Sequence, residues 1–115
     1  MTLREARIKA TQCWALLIQK AFALGYECAL DEGTERITEK DPMSDHMPGS
    51  LHHLGLALDL NLYKDGRYIT NDEGHKELGE YWKSLHPDCR WGGDFARKDY
   101  NHYSFAPKEI AGGRG

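Results

Sequence analysis

The stretch from Leu56 to Tyr63 limits this chain's fold more than any other. It alternates: Leu56, Leu58, Leu60 and Leu62 fall on one side of an extended backbone, and Ala57, Asp59, Asn61 and Tyr63 on the other. A face of four leucines predicts a strand with its core on one side. The opposite face looks into a polar cleft, and Ala57 leaves room beside Asp59. A carboxylate inside such a strand costs free energy to bury unless something offsets its charge. A divalent cation would do so, and His52 stands seven positions earlier, at the entrance to the same apolar run. Imidazole and carboxylate are both zinc ligands, and a catalytic zinc takes three protein ligands and keeps one position for water. The strand therefore raises two questions: where a third ligand lies, and what acts on the water.

The flanking segments predict an α+β fold. Residues 2–24 carry Leu3, Ala6, Ala10, Cys13, Leu17, Ala21 and Leu24 at helical intervals, with Trp14 and Ile18 widening the stripe. Thr2 with Glu5 fits a capping box, and Gly25 is a natural stop. Tyr26 to Leu30 fits a short strand. Residues 31–49 read as a loop, with Asp41-Pro42 and Pro48-Gly49 as breakers. Arg36 and His46 are its residues able to reach a substrate. Asp65-Gly66 signals a hairpin, with Arg67 to Ile69 returning. Thr70 with Glu73 fits a second capping box, opening a helix to about Leu85 that carries His75, Leu78, Tyr81 and Trp82 on one face. His86-Pro87 ends it. The residues past Lys108 predict a frayed tail. The sum is a small antiparallel sheet carrying the ligands, with the N-terminal helix and the 71–85 helix packed around it.

The 115 residues fit one domain, 1–115, large enough for a core of its own. A net charge of −3 argues against a nucleic-acid partner, which would need a basic patch. No window has the length and apolarity to insert in a membrane, and the first residues lack the apolar centre of a signal peptide. Cys13, Cys28 and Cys89 form no CxxC pair, so a cysteine-zinc site is disfavoured and reduced thiols are expected.

His102 is the best third ligand. It lies on the alternating segment His102 to Phe105, just past a turn, with Asp99 three residues ahead. His52, Asp59 and His102 then supply two imidazoles and one carboxylate. A zinc held so lowers its water's pKa to roughly 7. A nearby carboxylate, Asp99, would take that proton and pass it to a leaving amine. The metal would favour the ionised form of Asp99. His53 competes with His52, and neighbours on an extended segment point to opposite sides, so only one should bind. The spacing alone leaves packed, non-ligating histidines as an alternative. Trp91, Gly92, Gly93 and Tyr103 read either as walls of the cleft or as ordinary core and turn.

Ser-x-His-x-x-Gly-x-Ala-x-Asp, here Ser50, His52, Gly55, Ala57 and Asp59, resembles the signature of the zinc D-Ala-D-Ala carboxypeptidase and L-alanyl-D-glutamate endopeptidase family. That family shares its fold with lysostaphin-type peptidases and the hedgehog signalling domain. Trp91 to Phe95 and Asp99 to Tyr103 are similar to the family's second half, and the resemblance runs over roughly residues 3–106. It is closest to short, single-domain phage endolysins. The resemblance implies zinc on His52, Asp59 and His102, with His52 chosen over His53 by register. It implies Asp99 as the catalytic acid, where many members carry glutamate. Ser50 and Arg36 fall on substrate-binding positions, with Arg97 or Arg90 as substitutes for Arg36. The implied substrate is a peptidoglycan stem peptide, cleaved between L-Ala and D-Glu. The alternatives are a D-Ala-D-Ala carboxypeptidase, a wall peptidase carried in the virion, or a zinc-bearing binding module of the hedgehog type. A monomer is expected, held in the host cytoplasm until a separate factor releases it to the wall.

Overall fold

The computed structural model describes residues 1–31, 50–70 and 72–111. Arg36 and His46 lie outside them. The order of elements is α1 (Leu3–Ala23), β1 (Glu27–Leu30), β2 (Ala57–Lys64), β3 (Arg67–Tyr68), α2 (Asp72–Leu85), β4 (Cys89–Trp91), a 3-10 turn (Gly92–Asp94), β5 (His102–Phe105) and α3 (Lys108–Ala111). The α+β expectation is borne out. The strands form one antiparallel sheet in the order β1-β2-β5-β4, with β3 also paired to β2.

Helix α1 starts where its cap predicts. The Thr2 hydroxyl accepts from Glu5 N–H at 3.1 Å and the Glu5 carboxylate accepts from Thr2 N–H at 2.8 Å, so two otherwise orphaned donors are satisfied. Its buried stripe is Ala6, Ala10, Cys13, Leu17 and Ala21. Small residues at four of these five positions, all but Leu17, let the helix lie close to the core behind the sheet. Gly25 takes φ +90° just past the helix, a conformation that disfavours a side chain. The hairpin between β2 and β3 has positive φ at both Asp65 (52°) and Gly66 (76°), the geometry of a type I′ turn.

The leucine face of β2 packs into this core. Leu56, Leu58, Leu60 and Leu62 are buried together with Leu78 and Trp82 of α2 and Tyr103 and Phe105 of β5. Both long helices therefore cover one face of the sheet. Asp59, Asn61, His102 and Ser104 share the other, because Asp59 pairs with His102 and Ala57 with Ser104. Tyr103 points to the helix side and is fully buried, where its hydroxyl lies 3.0 Å from His75 Nδ1. Trp91 is also buried, and its Nε1 donates to the Tyr100 carbonyl at 2.7 Å. These two aromatics take the packing role, not the wall of a cleft.

The chain differs from expectation in three places. Residues 51–55 form a turn, not the start of an extended segment. Helix α2 begins at Asp72. The segment from Lys108 is not frayed throughout: residues 108–111 form α3, Ile110 packs against the core, and Glu109 meets the N-terminal ammonium at 3.3 Å. Residues 112–115 lie outside the described part.

Candidate metal centre

Three elements bring the ligand candidates together. Asp59 comes from the middle of β2 and His102 from the first position of β5, directly opposite it in the ladder. His52 comes from the turn 51–55. That turn is closed by four backbone bonds, His53 N–H to Ser50 O (3.0 Å), Leu54 N–H to Leu51 O (3.1 Å), Gly55 N–H to His52 O (3.2 Å) and Leu56 N–H to Leu51 O (2.9 Å). Leu51 and Leu56, both buried, anchor its two ends in the core.

The ligating atoms of His52, Asp59 and His102 lie within 4.8 Å of one another. Asp59 Oδ1 is 3.3 Å from His52 Nε2 and 3.4 Å from His102 Nδ1. These distances discriminate. A hydrogen-bonded imidazolium–carboxylate pair closes to about 2.7–2.9 Å. Two ligands on a tetrahedral zinc with bonds of about 2.0–2.1 Å stand about 3.3–3.4 Å apart. The two separations from Asp59 match the edge of a coordination tetrahedron, and with the third within 4.8 Å this donor set fits a divalent metal. His53 is not part of the cluster, as the register of the motif implies.

The electrostatics agree with a cation-ready site. Burial by itself would raise the Asp59 carboxyl, which is only 7% exposed. The imidazoles of His102 and His52 outweigh that and hold it well below the usual carboxylate range. The His52 and His102 rings meet edge to face at 5.3 Å. Nε2 of His102 is buried with no hydrogen-bond partner among the described residues, and the Phe95 ring lies 5.3 Å from that imidazole. An aromatic contact there limits the ring's tilt.

Asp99 stands at the mouth of this cluster. Its Oδ2 is 3.8 Å from His102 Nδ1, and its side chain is about half exposed. Partial burial, then the charge of Asp59, raises its carboxyl above the ordinary value. Its backbone is clamped: Asp99 N–H donates to Gly92 O at 3.0 Å and His102 N–H to Asp99 O at 3.1 Å. Gly92 is needed for that approach. A Cβ there would collide with the Asp99 carbonyl and come within 2.8 Å of the His102 Cβ. The Trp-Gly-Gly-Asp segment thus serves the site indirectly, by letting the 99–102 backbone lie against it.

Of the other expected site residues, Ser50 sits at the head of the His52 turn, where its hydroxyl accepts from His52 N–H at 3.2 Å. Arg90 is half-buried on β4 opposite Ser104, and Arg97 is exposed beyond the 3-10 turn. Sequence reasoning missed Asn61 and Asn101. The Asn101 amide donates to Asn61 Oδ1 at 2.9 Å, while Leu60 N–H donates to Asn101 O at 2.8 Å. These bonds tie the residue before His102 to the strand of Asp59. The alternation of β2 put Asn61 on the Asp59 face, and that was the only available signal.

A family model described as D-alanyl-D-alanine carboxypeptidase matches residues 44–105, more than half of the chain. The match spans the turn, β2, the glycine segment and β5, the parts that build the cluster. No curated protein matches the chain. A matched segment whose histidines and aspartate meet at metal-ligand spacing leads to one assignment: the chain belongs to the D-alanyl-D-alanine carboxypeptidase family of peptidases.

Proposed function

We propose that the protein is a zinc peptidase that hydrolyses peptidoglycan stem peptides at the L-alanyl-D-glutamate bond. One observation carries the metal chemistry: Asp59 Oδ1 stands at tetrahedral-edge spacing from a nitrogen of each imidazole, all three ligand atoms lie within 4.8 Å of one another, and a second carboxylate is 3.8 Å from His102 Nδ1. When bound, zinc would supply Lewis acidity and an activated water. His52, Asp59 and His102 would hold it. Asp99 Oδ2 accepts a proton from the attacking water as that oxygen bonds to the scissile carbonyl carbon. The carbon–nitrogen bond then breaks, and Asp99 returns the proton to the departing amine. The clamp from Gly92 keeps the Asp99 backbone fixed through both transfers. Ser50 and Arg36 belong to this reading as substrate-side groups, Arg36 by binding a stem-peptide carboxylate. The resemblance to short phage endolysins supports the endopeptidase form, with release to the wall by a separate factor.

A second reading, removal of the terminal D-alanine, is favoured by the description of the matching family. Both are decided by one digestion. Purified cell walls are incubated with the zinc-loaded protein, and the soluble products are identified by mass spectrometry. New D-glutamate amino termini support the first reading, and free D-alanine supports the second. Asp99→Asn should retain zinc and lose about 10²–10⁴-fold in rate. A variant with full zinc and full rate would remove Asp99 from the mechanism, and would favour a different acid or a binding role for the fold.

A further inference from the structure

Two of the three ligand candidates are placed by backbone pairing, but His52 is not. Its turn meets α1 through a long-range polar contact: Arg7 Nε donates to the Leu54 carbonyl at 2.7 Å, across 47 residues of sequence. Leu54 O is two residues past His52, at the apex of the turn. Gly55, next in line, has φ +74° and presents no side chain toward the helix. A Cβ there would stand 3.3 Å from Arg7 Nε and 3.9 Å from Arg7 Cδ. The glycine therefore opens the space through which the arginine stem reaches the carbonyl. A charge-assisted bond of this length is among the stronger hydrogen bonds a side chain makes. It fixes the apex of the turn, between the Leu51 and Leu56 anchors at its two ends. Arg7 lies outside the matched residues 44–105, so the family match does not account for it.

We propose that Arg7 is a positioning residue for His52, a strut from α1 that sets where the imidazole meets Asp59 and His102. The inference rests on the reading that these three residues hold a metal. Coordination demands placement finer than folding does, and partners that orient a ligand typically govern metal affinity by 10–100-fold. Charge alone makes the opposite prediction. Removing a cation near a cation site should strengthen metal binding, so a loss of affinity on removing Arg7 is a sign of positioning.

The test uses the full chain and measures zinc affinity by competition with a chromophoric chelator, alongside thermal melting of the metal-free protein. Arg7→Met keeps most of the stem and removes the donor. Arg7→Gln removes the charge but keeps an N–H donor at the same number of bonds from Cα as Nε. Arg4→Met removes a neighbouring charge of α1. The expected result is zinc binding about 10-fold or more weaker in Arg7→Met. Arg7→Gln should recover most of that loss, Arg4→Met should show no weakening, and metal-free melting should be nearly unchanged in all three. Cobalt in place of zinc should also show an altered visible spectrum in Arg7→Met, because one ligand has moved. Zinc binding by Arg7→Met equal to or tighter than wild type overturns the inference and leaves the metal reading intact. Wild type that binds no zinc overturns both.

Discussion

The two halves of the metal cluster are built by different means. Asp59 and His102 stand opposite each other in the β2–β5 ladder, and their spacing follows from strand pairing and the core behind it. His52 stands on a turn of five residues, held by its own short bonds, two buried leucines and Arg7. The ladder half has redundant support: Asn61 bonds to Asn101, Gly92 lies under Asp99, and Tyr103 meets His75 on the far side of the sheet. Among the described residues, the turn half rests on its own closing bonds and its two anchors and not on a strand ladder across His52 itself. A rigid pair can thus hold the site's geometry in the folded chain, while the third ligand completes it. This difference predicts that damage to the ladder shows as lost folding stability, and damage to the turn as lost metal affinity.

The largest effect expected is at Asp59. Asp59→Asn removes the one anionic member of the cluster among the described residues, so zinc affinity should drop by well over the 10–100-fold of an orienting partner, read by chelator competition. Retained affinity would remove Asp59 from the ligand set. Gly92→Ala comes next. Its Cβ must displace the Asp99 carbonyl or the His102 Cβ, and overpacking of this kind costs about 1–3 kcal/mol or more. Chemical denaturation of the metal-free protein should show it, with activity falling further because Asp99 moves.

His75 tests the ladder's rear support. Burial is the main cause that pushes its pKa down to about 4, against an opposing backbone bond to Ile69. The folded state therefore favours the neutral ring. Its stabilising contribution is complete above the unfolded value of about 6.5 and is lost as pH falls from there toward 4. Metal-free protein should lose on the order of 2–3 kcal/mol from this group over that window, and His75→Gln should flatten the pH dependence. An equal slope in the variant would assign the acid sensitivity elsewhere. The smallest stability change is expected at the turn. Gly55→Ala places a side chain at φ +74° and against Arg7, costing about 1–2 kcal/mol. Its zinc affinity should fall by more than that stability loss alone would suggest. If Gly55→Ala loses stability without losing affinity, the contrast between turn and ladder is wrong.

Period and local signals made much of this legible. The capping box of α1, the leucine face of β2 and the Asp65-Gly66 hairpin are each encoded within a few residues. Alternation also put His102 and Ser104 on one face of β5 and Tyr103 and Phe105 on the other, which the pairing reproduces. The site's three central residues were therefore readable by type and spacing. What escaped was long-range and made by side chains. Arg7 reaching Leu54, and Asn101 reaching Asn61, join segments whose sequences contain no sign of each other. The turn at 51–55 escaped too, because an apolar run beginning at Leu54 resembles a strand start until the positive φ of Gly55 ends the turn. Arg36 lies outside the described residues, and its role stays with the proposal.

The most direct test of the central claim is a crystal structure of the zinc-soaked protein, with anomalous maps recorded on both sides of the zinc edge. The account predicts one peak about 2.0–2.2 Å from His52 Nε2, Asp59 Oδ1 and His102 Nδ1 together. A peak bound through His53, or no peak at that cluster while zinc occupies another place on the chain, would contradict it.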